Sequence, residues 1–148
     1  MPYAEKTAIS SIQSRADIEK LLTKHGAEQF GYMSRSDSAS IAFVLHNRQV
    51  RFTIPLPDRN DREFTHHSRG TRTASAAEDL YEQAVKQKWR ALLLVTKAKL
   101  EAVEAGISTF DEEFLAHFVT SQGDTVGDRL IPSLDVALTH SSRLELEA

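Results

Sequence analysis

The chain of 148 residues contains no cysteine. That absence excludes disulfides, thiolate nucleophiles and cysteine-based zinc or iron–sulfur sites, and it fits a reducing compartment. No apolar run approaches the ~20 residues that cross a bilayer. The opening MPYAEKTAISS lacks the basic-then-apolar pattern of a secretory signal, so a cytoplasmic protein without a membrane partner is expected. Glycine (6) and proline (4) are scarce, and the few positions they hold are therefore informative as stops and turns. Net positive charge is missing too: 18 Lys and Arg face 21 Asp and Glu, a balance of −3. A chain of that charge is not coated in cations, so any nucleic-acid surface must be local. The remaining composition is that of one ordinary globular domain, with no repeat and no low-complexity segment.

Catalytic signatures are absent as well. There is no G-x-S-x-G elbow, no phosphate-binding P-loop and no G-x-G-x-x-G. The candidate metal cluster is Asp58, Asp61, Glu63, His66 and His67. Adjacent histidines point in different directions, and the spacing matches neither a zincin pair nor an EF-hand series. Asp111, Glu112 and Glu113 read as first-turn residues complementing a helix dipole rather than as an acid/base pair. A protein without catalytic residues, metal or cofactor is expected.

What is present begins with one long helix. Residues 74–105 hold no Gly or Pro and consist almost entirely of good helix formers. Its apolar positions, among them Leu80, Val85, Trp89, Leu92, Leu93, Val95, Leu100 and Val103, spread over more than half the circumference, which predicts a core helix covered on two sides. Lys86, Arg90 and Lys97 fall on one narrow polar stripe. Lys88 and Lys99 project from within the apolar arc, where a lysine must snorkel to water or meet an anion.

Two period-two runs, Ser40–His46 and Gln49–Ile54, flank Asn47-Arg48 and predict a hairpin turning on those two residues. That turn sets Leu45 opposite Val50, Phe43 opposite Phe52 and Ile41 opposite Ile54, with Arg51 on the other, half-polar face. Gln29–Met33 adds a further strand. The fold class is therefore α+β: a three-stranded antiparallel meander packed against one long helix, with short helices at both ends. Residues 1–13 read as a flexible arm, 14–138 as a single domain and 139–148 as a flexible tail. Ser14 is placed as an N-cap with Asp17 as its capping-box partner, and Gly26 as the stop of a helix over 14–25. Between Pro57 and the long helix lies a basic loop over 58–73, long enough to be functional or mobile, with Arg59, Arg62, Arg69 and Arg72. Phe64 stacks on a base or anchors the loop. After a Gly106 stop, Ser108 opens a second capping box with Asp111, and Phe110, Phe114, Leu115 and Phe118 form an aromatic stripe, core or partner site. SQGDTVGDRL reads as a turn and LIPSLDVALTH as a last short helix.

The runs RFTIPLPDR, EFTHHSRGTR and YEQAVKQKWRALLLVTKAKLEAVEAGISTFDEEFLAHFV resemble a family of small phage and prophage proteins over about residues 14–130. In outline, a strand meander followed by one long basic-striped helix is also similar to phage single-strand annealing proteins of the Red-beta and Erf type. This resemblance implies a non-enzymatic protein that binds single-stranded DNA, with RNA as the alternative polymer. It would act as a homo-oligomer in recombination or replication, alongside a phage or host recombination protein. Arg51, Arg59, Arg62, Arg69, Arg72, Lys86, Arg90 and Lys97 would contact phosphates, with Lys88 and Lys99 at a groove or subunit junction. The alternative is a phage-encoded adaptor or inhibitor that grips another protein through the phenylalanine stripe.

Overall fold

The computed structural model describes residues 2–138, Leu144 and Leu146, with side chains from Ile12 onward. The chain runs α1 (Pro2–Lys24), β1 (Gln29–Ser34), β2 (Ser38–Leu45), β3 (Arg48–Pro55), α2 (Arg62–Thr65), β4 (His66–His67), β5 (Gly70–Thr71), α3 (Ala74–Glu104), α4 (Phe110–Phe114), α5 (Val126–Leu130) and α6 (Leu134–Ala137). It is an α+β fold with β1, β2 and β3 as an antiparallel meander in spatial order. The tail expected over 139–148 lies outside the described residues apart from Leu144 and Leu146, both exposed.

Both long helices stop as the glycines predict. Gly26 and Gly106 take φ of 96° and 74°, a region open to glycine at little steric cost. The bonds that close each end match: Ala27 N–H donates to Leu22 O and Gly26 N–H to Thr23 O. At the second stop, Ile107 N–H donates to Ala102 O and Gly106 N–H to Val103 O, the double bond of a Schellman end. The predicted start of α1 is wrong, however. The helix begins at Pro2, so Ser14 lies inside it rather than capping it. Nothing between Pro2 and Gly26 interrupts a helix, and proline is well suited to a first turn. The second capping box forms one residue later than predicted, between Thr109 and Glu112.

The hairpin faces are as predicted, but the register is not. The turn residues are His46 and Asn47, with φ of 52° and 62°, and Leu45 pairs with Arg48, Phe43 with Val50, and Ile41 with Phe52. A two-residue turn of this hand needs positive φ at both positions, which Asn and His tolerate better than Arg. The pairing therefore slides by two residues. Because side chains alternate with period two, an even slide preserves the faces. Ala39, Ile41, Phe43, Leu45, Val50, Phe52 and Ile54 are all buried against Ile18 and Leu22 of α1 and Trp89 of α3.

The long helix is covered on one side rather than two. Its buried stripe is Tyr81, Glu82, Val85, Trp89, Leu92, Thr96 and Leu100, while Leu94 and Val95 are 57% and 46% exposed. Helix α1 lies along one flank of α3, and alanines fill much of the remaining apolar arc at little cost in exposed area. The aromatic stripe is core: Phe114 is fully buried and meets Phe43 and Phe52 edge-on at centroid distances of 6.1 and 6.2 Å. Past it, Val119 N–H donates to Gln49 O at 2.8 Å, so the C-terminal segment is tied to the start of the β3 edge. The stretch predicted as a turn is one over 121–125, while its second half forms α5, capped by Thr125 and Asp128.

Segment 58–73 is folded. Phe64, 4% exposed, packs edge-on to Tyr81 at 5.7 Å and so serves as an anchor, not a base-stacking residue. Arg72 Nη1 donates to the carbonyls of Glu63 and Phe64 at 2.6 and 3.3 Å.

Two outcomes follow. A Cβ on Gly127 would sit 2.8 Å from Ala116 O, so Gly127→Ala should destabilise the protein by about 1–3 kcal/mol, read as a lower denaturant midpoint. Burial and the Lys99 cation hold His117 below the ordinary histidine range. The unfolded chain then binds the proton more readily than the folded one, so this stability is present above about pH 6.5 and lost as pH falls below it. Melting temperatures should drop between about pH 7.5 and pH 5.5, and less so for His117→Gln; parallel drops would rule His117 out as the responsible group.

Candidate anion-binding face

The helices cover one face of the sheet and leave the other open. On that open side β1 shows Gln29, Gly31 and Met33, β2 shows Ser38, Ser40, Ala42 and Val44, and β3 shows Gln49, Arg51 and Thr53, by the alternation of the register. The row Gly31, Ala42, Arg51 crosses the sheet at one level. Two of its members carry almost no side chain, so the surface is hollow there: a concavity of about 580 Å³ lined by Arg35, Arg51, Ser38, Ser40, Thr53 and Gln49 among others. Among the described residues no carboxylate lines it. Ser40 Oγ and Thr53 Oγ1 are hydrogen-bonded across the strands at 3.1 Å. The Arg51 charge reaches Asp128, whose carboxyl lies below the usual range mainly through its bonds to Thr125, with Arg51 a lesser cause.

Arg35 was not among the expected cations, because it falls in the polar connection SRSDSAS. Its signal was there in the parity: positions 29, 31 and 33 face out, and 35 continues the series.

The ten expected cations do not form one channel. Arg51 lies on the open sheet face. Lys86 and Arg90 border the groove between α1 and α3 with Gln13, Ser14, Asp17, Leu93 and Leu94, on the helical layer and thus on the far side of the molecule. Lys97 is exposed further along the same stripe, and Lys88 is also exposed. Among the described residues none of these five forms an ion pair. Arg62 and Arg69 are exposed at the surface of the 58–73 segment.

Three cations have structural tasks. Arg59 pairs with Glu78 and lies 4.1 Å from the centre of the Tyr81 ring; the Glu78 hydrogen bond is the main reason that its pKa is raised. Arg72 serves the two carbonyls already described. Lys99 neither snorkels nor faces a groove: Nζ donates to Glu113 O at 2.8 Å, lies 3.8 Å from Glu113 Oε1 and approaches the Phe114 ring at 5.8 Å. A further cation, Arg48, points to the core side at the hairpin end. It holds Asp111 through two bonds of 3.2 and 3.0 Å, which depress the Asp111 pKa.

A second cleft of about 570 Å³ lies at the end of the sheet, between Arg35, Asp37, Asp58, Arg59, Tyr81 and Trp89. Its rings are already engaged. Tyr32 is held between the Arg15 guanidinium, 3.8 Å from its centroid, and Trp89 at 5.5 Å, and Tyr81 carries Arg59 and Phe64. The cleft therefore offers a base no free stacking platform among the described residues.

The metal candidates do not come together: no group of three or more His, Asp or Glu side chains among the described residues has metal-binding geometry. The backbones of His66 and His67 belong to the β4–β5 ladder, while His66 Nδ1 is hydrogen-bonded to Thr65 Oγ1 at 2.7 Å and His67 Nδ1 accepts from Arg69 N–H at 2.9 Å. No described helix is long and apolar enough to cross a membrane. No family model, curated protein or solved structure matches the chain.

Lys99→Met should lower stability by about 1 kcal/mol, the scale of a partly exposed charged hydrogen bond, and leave any anion affinity unchanged. A loss of anion affinity at constant stability would return Lys99 to the binding surface.

Proposed function

We propose that the chain is a non-catalytic single-stranded nucleic-acid-binding protein of phage type, acting in annealing or recombination. The observation that carries this reading is the carboxylate-free hollow on the open sheet face, where Arg35 and Arg51 stand among Ser38, Ser40 and Thr53. Guanidinium forks pair with phosphate oxygens, and hydroxyls add donors for the same backbone. Binding works by charge neutralisation and counterion release, with no bond made or broken. The Lys86, Arg90 and Lys97 stripe is a second, separate basic track on the helical layer. One molecule thus offers two short tracks on opposite sides, and a polymer following both passes from copy to copy in an assembly.

The test is fluorescence anisotropy with a labelled single strand at two salt concentrations. Each phosphate contact contributes a slope of about −0.7 in log affinity against log salt. Arg35→Ala with Arg51→Ala should weaken binding by roughly tenfold or more, as expected for lost charged hydrogen bonds, at unchanged melting temperature. Arg59→Ala should leave affinity nearly unchanged, because its guanidinium already serves Glu78. Undiminished binding by the Arg35/Arg51 variant would remove the sheet face from the reading.

A second reading, a protein-interaction module, draws on a different observation. Leu130, Ile131, Val136 and Leu138 are all more than half exposed along α5 and α6, an apolar surface of the kind partners cover. Absence of nucleic-acid binding at low salt, together with a defined protein complex, would favour it.

A further inference from the structure

The two edges of the sheet are treated differently. The edge of β3 is met at its start by Phe118 and Val119, through a bridge to Val50 and a hydrogen bond to Gln49 O. The edge of β1 is bare: it ends the sheet, and no strand among the described residues pairs with it. Arg35 N–H donates to Ser38 O at 2.8 Å at the hairpin end. Hydrogen-bonded positions recur every second residue from there, so the N–H and C=O groups of Phe30, Tyr32 and Ser34 point outward. Natural edges are guarded by charge, proline or a bulge. Residues 29–34 contain no charge and no proline, and their pairing with β2 runs without a bulge.

From this edge we infer that two copies of the chain join antiparallel through β1, on a two-fold axis at Tyr32, into one six-stranded sheet. The occupant is a second copy because the strand is complementary to itself in this register. Met33, 56% exposed, falls opposite Gly31 of the second copy, and Phe30 opposite Ser34, so these two large side chains each meet a small one, while Tyr32 meets Tyr32 of the second copy on the axis. Arg35 falls opposite Gln29 and not opposite another arginine, and the uncharged strands meet without repulsion. An isologous contact of this kind closes as a dimer. It also joins the two open faces, so that Arg35 and Arg51 of both copies share one floor. The inference rests on the strand edge and not on the nucleic-acid reading.

The experiment is sedimentation equilibrium of the full chain without nucleic acid. The expected mass moves with concentration from that of the 16.6 kDa chain to twice that value. A Cβ on Gly31 meets nothing within 4 Å, so Gly31→Lys folds as the single chain does, yet fills the space needed by Met33 of the second copy. Ser34→Pro removes an outward N–H that the fold does not use. Both variants should stay at single-chain mass with unchanged melting temperature. A wild-type chain that remains monomeric at every concentration, or a dimer that survives both substitutions, overturns the inference.

Discussion

A sheet covered on one face tolerates no odd error of register, and in this chain that constraint is met at a two-residue turn. His46 and Asn47 adopt positive φ, and that local geometry aligns β2 with β3 over their whole length. The large apolar residues Ile41, Phe43, Leu45, Val50, Phe52 and Ile54 then point to the helices, with Val44 and the small Ala42 on the open side. Arg51, Ser40 and Thr53 consequently point away from them. Core and candidate site are thus two sides of the same alternation: a one-residue slip would bury an arginine and expose phenylalanines together.

The C-terminal third ties this sheet down. Phe114 enters between Phe43 and Phe52, Arg48 reaches from the hairpin end to Asp111, and Val119 bonds to β3. Lys99 joins the long helix to the same cluster through Glu113. A lysine set among aromatic side chains is costly unless its ammonium is paired, and the Glu113 carbonyl and carboxylate supply that pairing. The consequence for function is subtraction. Cations that stabilise the fold are withdrawn from any ligand surface, and among the described residues the expected cations without such a task include Arg51 on the sheet with Arg35, a lysine–arginine stripe on the helical layer, and the scattered Lys88, Arg62 and Arg69. An acidic chain with two separated basic tracks suits a ligand or an assembly that spans copies better than a small anion held in one pocket.

Much of the architecture was legible from residues alone. The α3 boundaries, the three strands, the glycine stops and the membership of the buried sheet face follow from periodicity and from local backbone preference. The errors were also local in kind. Ser14 looked like a cap because serine before an acidic residue often is one, but no helix breaker preceded it. The 58–73 stretch looked structureless because short elements such as α2 and the β4–β5 ladder leave too few residues for a period to show. Phe64 was ambiguous until Tyr81 stood beside it.

The candidate site was less legible, and the reason is distance along the chain. Arg59 meets Glu78 across 19 residues, Lys99 meets Glu113 across 14, and Arg48 meets Asp111 across 63. By itself the sequence determined the long helix α3, the three strands and which of their side chains share a face, because those properties depend on neighbours a few positions away. Which cations are spent on carboxylates, and that the helix stripe faces away from Arg35 and Arg51, were decided by the tertiary structure alone. Ion pairing and burial are set by proximity in space, and a linear order of residues does not contain it.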